Sequence, residues 1–264
     1  MTLDQLKRDV ALGSRILAFT GLAAGIRSSM GHVSLRDPND PGRFVVKGRG
    51  YAIDTLNRMQ PENMVVCDLD GRLLEGPPGV VQCNEVMIHA CALKARPEIN
   101  SVVHVHPPFS VMLTVMGIPI VPMLLEGVKL VRKPLPVYPR TALITSVEHG
   151  RDMVKSLGQA SAVHLLGHGV TTVGKDIEES IMNAWQLEHQ AQFNYYACSI
   201  AGKDHAQIPD ENIGEFLAWK PLAEPHFQEA VAKVGKVNTG GSMWSDLMDR
   251  AAREMASSQR CANA

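Results

Sequence analysis

Two valine-rich runs constrain this chain more than any other feature: SVVHVHPPF at 101–109 and SAVHLLGHGVTTVG at 161–174. Apolar, β-branched runs bounded by Pro, Ser and Gly are strands of a buried sheet. Imidazoles inside such strands are either tied off by hydrogen bonds or hold something. Side chains at i and i+2 of a strand share one face, at about 6 to 7 Å. His104 and His106 can therefore turn toward one cation, with nitrogen–metal bonds of about 2.0 to 2.1 Å.

Around these runs the hydrophobic period alternates. Residues 3 to 26 follow a 3.6-residue period and predict an opening helix ended by Gly25. GHVSLRD, RFVVKG and NMVVCDLDG read as short strands. CNEVMIHACALKARPEI returns to helical spacing and stops near Pro97. PPFSVMLTVMG is a helix opened by prolines, IPIVPML a short strand, and Val128 to Thr145 a loop and strand. A helix at 147–157 and a long helix capped by Asp176 frame the second histidine run. Helices and strands alternate without a polar linker, which predicts one α/β domain with helices on both faces of a central sheet. Residues 1–204 form the expected catalytic unit. Residues 205–264 form a helical extension expected to pack on the same or a neighbouring subunit.

The chain has 264 residues, 45% hydrophobic and 20% charged, with a formal net charge of -1. That balance supplies no field for nucleic acid or anionic lipid, so neither is an expected partner. No apolar run approaches the roughly 18 residues that span a bilayer. The N-terminus shows no leader pattern, and the expected compartment is the cytoplasm. Five cysteines, an odd number with no CxxC pair, suggest neither a disulfide framework nor a thiolate zinc site.

Two further groups could complete the histidine pair. His168 lies between two glycines, which let backbone approach a ligand closely. His164 competes with it; on one extended strand it would sit about 13 Å away, so only one of them can serve the ion. Glu85 opens the helix NEVMIHACALKA, where the helix dipole favours an anion. Its carboxylate could balance a divalent charge or serve as acid and base beside it, or it could serve only the dipole.

The stretches NEVMIHACALKARPEINSVVHVHPPFSVMLTV and VHLLGHGVTTVGKDIEESIMNAWQLEHQAQ, with GHVSLRDP and MVVCDLDG before them, resemble the class II aldolase/adducin family over residues 5 to 205. The resemblance implies a three-layer α/β/α domain with a mainly antiparallel sheet. It also implies a cyclic homotetramer with active sites between subunits, and a divalent metal, commonly zinc, with manganese or iron in some branches. His104, His106 and His168 would be the ligands, and Glu85 the acid/base that also touches the metal. The adducin branch has lost these ligands, so their presence points to an enzyme.

The departures bear on substrate. Sugar-phosphate members of the family carry hydroxyl residues where this chain has Arg49, Cys83 and Asn84. They also place a tyrosine where it has Met123. With the phosphate cradle dismantled, Arg49 offers a planar fork suited to a carboxylate. Asn84 and Cys83 would line the same cleft. His32, in GHVS, could supply a proton or be a turn histidine. The pattern therefore favours the family's decarboxylase-like branch: a lyase acting on a dihydroxylated aromatic acid or a related hydroxy-oxo-dienoic acid. An aldolase, epimerase or dehydratase of a small hydroxy-carbonyl compound is the alternative, and a metal-binding scaffold without turnover is the third.

Overall fold

The computed structural model describes residues 1–23, 30–235 and 242–262. Helix α1, Leu3–Phe19, starts in a capping box between Thr2 and Gln5. It ends earlier than its apolar period suggested, because the chain turns at Gly21 with φ of 81°. Gly25, the expected stop, lies outside the described residues.

Next come β1 (His32–Asp37), β2 (Asp40–Arg49), β3 (Met64–Asp68), β4 (Leu73–Glu75) and β5 (Val81–Gln82). Helix α2 (Val86–Ala95), β6 (Ser101–Val105), α3 (Pro108–Met116), α4 (Val128–Val131), β7 (Val137–Tyr138) and α5 (Val147–Leu157) follow. A hairpin of β8 (Ala162–Leu165) and β9 (Gly169–Gly174) leads into the long α6, Ile177–Ala201. The remaining described helices are α7 (Asp210–Ala218), α8 (Pro225–Val234) and α9 (Ser242–Ala262). None of the described helices is long and apolar enough to cross a membrane.

The strands form one sheet in the order β4-β3-β2-β1-β6-β9-β8-β7, with β5 paired to β2. Among the described strands only β7 and β8 run parallel; the other pairs are antiparallel. Alternation along the strands divides the core. Val33, Val103 and Val105 pack with Leu6, Ile16 and Ile181 from α1 and α6. Phe44, Val102 and Val163 pack with Ile88, Leu93 and Met153 from α2 and α5. These are the three layers expected of the domain. All five residues of β6 are buried, and burying a valine side chain stabilises by about 1.5–3 kcal/mol. A one-residue slip would turn Val103 and Val105 away from α1 and swing His104 to the α1 side in their place, so packing fixes which way the histidine points.

Two expected strands also differ, each for a physical reason. IPIVPML is extended but joins no strand: Pro119 and Pro122 have no N–H to donate. Its polar groups are met by side chains of α6 instead. Val121 N donates to Asn194 Oδ1 at 3.0 Å, and Met123 N donates to Gln190 Oε1 at 2.9 Å. The run SAVHLLGHGVTTVG is two strands, because His168 N donates to Leu165 O at 2.9 Å and closes a turn. Gly167 takes that turn's left-handed position at φ 64°.

Beyond residue 204, α9 lies on α1. Ala251 and Met255 enter the first core cluster, and the Arg250 guanidinium sits 4.0 Å from the centre of the Phe19 ring. Helix α7 is tied to the body by the buried Ile213 and by Arg132 Nε donating to Asp210 at 2.7 Å. Helix α8 buries none of its residues.

Candidate metal centre

Register brings the histidines together. His32 on β1 is the cross-strand partner of His104 on β6, and His104 is the partner of Thr171 on β9. His106 lies just past the end of β6, on the same face as His104. Pro107 and Pro108 then turn the chain into α3, whose first amides are fixed from α6. Phe109 N and Ser110 N donate to the Glu188 carboxylate at 2.8 and 2.9 Å. Burial pushes the Glu188 pKa up, against the hydrogen bonds that draw it down.

His168 enters from the β8–β9 turn. The following residue has to be glycine: a Cβ at Gly169 would lie 2.5 Å from Val105 O and 3.0 Å from atoms of both the His104 and His106 rings. Here the sequence reading of the glycine setting has a concrete meaning.

Glu85 stands at the N-cap of α2 and makes no side-chain capping bond there. Its carboxylate turns to the histidines instead. Oε1 accepts from Ile144 N at 2.8 Å, while Oε2 lies 3.5 Å from His168 Nε2 and 3.6 Å from His104 Nε2. A role confined to the helix dipole is set aside by that geometry.

The four groups offer one donor atom each, all within 4.8 Å of one another. His104 Nε2 and His106 Nε2 are 2.9 Å apart. A tetrahedral ion with bonds of about 2.0–2.1 Å sets its donors roughly 3.3 Å from each other. The observed edges of 2.9, 3.5 and 3.6 Å bracket that spacing. The electrostatics agree. Burial above all, with the neighbouring imidazoles, holds His104 well below its usual pKa, hence neutral and in its ligating form. Both ring nitrogens of His168 are buried with no hydrogen-bond partner, a costly state that a cation relieves at Nε2. A buried carboxylate facing three imidazole rings is a donor set that a divalent ion fits.

Beside this centre runs a second chain of polar contacts. His32 Nδ1 is 2.7 Å from His89 Nε2, and His89 Nδ1 is 2.7 Å from Ser34 Oγ. His89 is wholly buried, and burial pushes it down to about 3. Burial first, then the nearness of His89 and Lys47, lowers His32 as well. With Nδ1 engaged by His89, the other edge of His32 is the one available to the cavity. His89 went unremarked in the sequence, although it follows Glu85 by four residues and so shares its helix face.

The cavity has a volume of about 300 Å³ and is lined by His32, Glu85 and His106, with Lys47, Arg49 and Asn84 among the others. Every residue assigned to catalysis or substrate thus meets in one place: Glu85, His32, Arg49, Asn84 and Cys83. Arg49 is exposed and donates to Asn84 Oδ1. Cys83 is buried, and burial pushes its thiol pKa up, so it contributes wall and not thiolate chemistry. Lys47, 3% exposed and ion-paired with Asp54, was overlooked beside Arg49.

His164 drops out as a ligand for a different reason than length. The hairpin places it on β8 opposite Val170, and its Nδ1 is 2.8 Å from Thr114 Oγ1 of α3, on the far face of the sheet. Met123 has its amide held by Gln190 and does not line the cavity.

A mainly antiparallel sheet between helices, carrying three imidazoles and a carboxylate, defines a class of metal-centred α/β enzymes. The sequence comparisons make this specific. The Class II Aldolase and Adducin N-terminal domain family matches residues 8–195, and the chain belongs to that family. Its kinship makes it a lyase. It is 33% identical over 217 residues to a 3,4-dihydroxyphthalate decarboxylase of Arthrobacter keyseri, covering 78% of this chain and 84% of the relative. It is 33% identical to the protein of that name from a Terrabacter species, over 84% and 92% of the two chains. Among solved structures, an L-fuculose 1-phosphate aldolase from Glaciozyma antarctica shares the fold with a TM-score of 0.73. That match is at 20% identity, over 97% of this chain and 91% of that one.

Proposed function

We propose that the chain is a divalent-metal-dependent decarboxylase of a dihydroxylated aromatic carboxylic acid of the dihydroxyphthalate kind. The observation carrying this reading is a four-donor cluster, two of whose members, Glu85 and His106, line a cavity that also bears Lys47 deep inside and Arg49 at its mouth. His104, His106 and His168, with Glu85, would hold the ion. Zinc is the first choice for such donors, with manganese or iron as alternatives. Once bound, the ion supplies Lewis acidity to adjacent substrate oxygens.

The protein's own groups do the rest. The bond between the ring carbon and the departing carboxylate breaks, and its electron pair stays on the carbon. That carbon takes one proton, and carbon dioxide leaves with no change of oxidation state elsewhere. Glu85, steadied by Ile144 N, or His32, steadied by His89, holds the proton at the cavity surface. Arg49 and Asn84 orient the substrate from the mouth. Aldol cleavage or epimerisation of a small hydroxy-carbonyl compound would use the same floor. What speaks against it is the pair of cationic side chains in the cavity, Lys47 and Arg49, and the position of Met123.

The reading also includes a homotetramer with a neighbouring subunit closing the exposed side of Arg49, testable by light scattering. Elemental analysis followed by carbon dioxide release from a panel of aromatic dihydroxy acids tests the function. Release with one divalent ion per chain supports it. Turnover restricted to sugar-derived aldols replaces it with the alternative.

A further inference from the structure

Two cationic side chains line the cavity from the same strand. Lys47 and Arg49 are two residues apart on β2. That spacing puts them on one face, with Cα atoms about 6 to 7 Å apart, within reach of the two oxygens of a single carboxylate. Their settings differ. Lys47 lies deep, held by Asp54, and near enough to act electrostatically on His32 and Cys83. Arg49 lies at the exposed mouth, steered by Asn84. Met30, Cys83 and Leu143 supply the apolar part of the wall.

Resting on the decarboxylase reading, we propose that Lys47 and Arg49 together grip the carboxylate that stays on the ring. The substrate then carries two carboxylates, one gripped and one lost. The reason lies in where charge moves. Losing carbon dioxide takes negative charge off the departing group and onto the ring. A cation bound to that group stabilises the starting state more than the transition state and slows the reaction. Cations therefore belong on the retained carboxylate, and the departing one belongs against Cys83 and Leu143. The charge count agrees. Lys47, Arg49, Asp54 and Glu85 sum to zero, so a divalent ion leaves the cavity with the charge that two carboxylates balance. The product, having lost one of them, is held less tightly.

The test is binding, read by titration calorimetry on the purified full chain. The probes are 3,4-dihydroxybenzoate, which keeps one ring carboxylate, and catechol, which has none. The wild type should bind the acid about 10-fold or more tightly than catechol, the worth of a charge-assisted contact. Lys47→Met and Arg49→Gln should each erase most of that gap while leaving catechol affinity within about twofold. Lys47→Arg should keep it. Equal weakening of both probes, or no gap in the wild type, overturns the clamp. Should Lys47→Met fail to fold, Arg49→Gln and Lys47→Arg decide alone. A parallel assay compares 3,4-dihydroxyphthalate with 2,3-dihydroxybenzoate, which lacks the second carboxylate. If neither yields carbon dioxide the decarboxylase reading falls, while the binding result still judges the clamp.

Discussion

Beneath the cavity His104 is fully buried on β6, between β1 and β9, while at the cavity mouth Arg49 stands exposed at the end of β2. The metal-ligand cluster beneath the cavity gains its geometry from β register, a glycine with no room for a Cβ, and the start of α3 held by the Glu188 carboxylate. The mouth is made of long side chains that can be exchanged without disturbing any core residue. Rigid support suits donor atoms that must stay within a few tenths of an ångström. Exchangeable side chains suit the choice of substrate. The contrast teaches that this fold can keep one kind of chemistry while changing what it acts on, because the two are carried by parts with different packing.

The sharpest way to break the contrast is to empty the floor. Dialysis against a strong chelator should abolish carbon dioxide release, with full return on adding back a divalent ion; retained turnover without metal would refute the role of the four donors. Glu85→Gln comes next. It should lower kcat by about 10²–10⁴-fold, as expected for a lost proton-transfer group, with the fold intact by circular dichroism. Gly169→Ala puts a Cβ against Val105 O and directly against both imidazoles at once. A loss of about 10–100-fold in metal affinity, the scale of disturbing the support of ligands, should appear in a competition assay with a metallochromic dye.

Changes at the mouth should act on binding alone. Arg49→Lys keeps the charge but loses the planar fork, so KM should rise about 10-fold at nearly constant kcat. Smallest of all, His164→Gln should leave metal content at the wild-type level and cost about 1 kcal/mol of stability from the bond to Thr114. A fall in metal content there would erase the distinction between the two faces of the sheet.

Much of the floor was legible because strand periodicity is local. HVH puts two rings on one face whatever the rest of the chain does. The glycines around His168 announced a close approach, and Gly169 makes one. What escaped depended on partners far away in sequence. IPIVPML has the composition of a strand, and only the carboxamides of α6 make it something else. His164 was placed by assuming an unbroken strand where a four-residue turn intervenes. His89 and Lys47 are polar residues flanked by apolar or glycine neighbours, and nothing local separates a functional one from a satisfied one. The contact with His32, itself paired across the sheet with His104, joins His89 to the site, and an ion pair with Asp54 holds Lys47 in the cavity wall.

The polar residues of α6 carry one last implication, for the order in which the chain is made. Glu188, Gln190 and Asn194 hold segments that precede them by 64 to 79 positions. On a ribosome, which releases the N-terminal part first, the loop after His106 stays unfastened until α6 has emerged. The candidate metal pocket then sets only after α6 has emerged, and ion capture there should lag behind pairing of the strands before it.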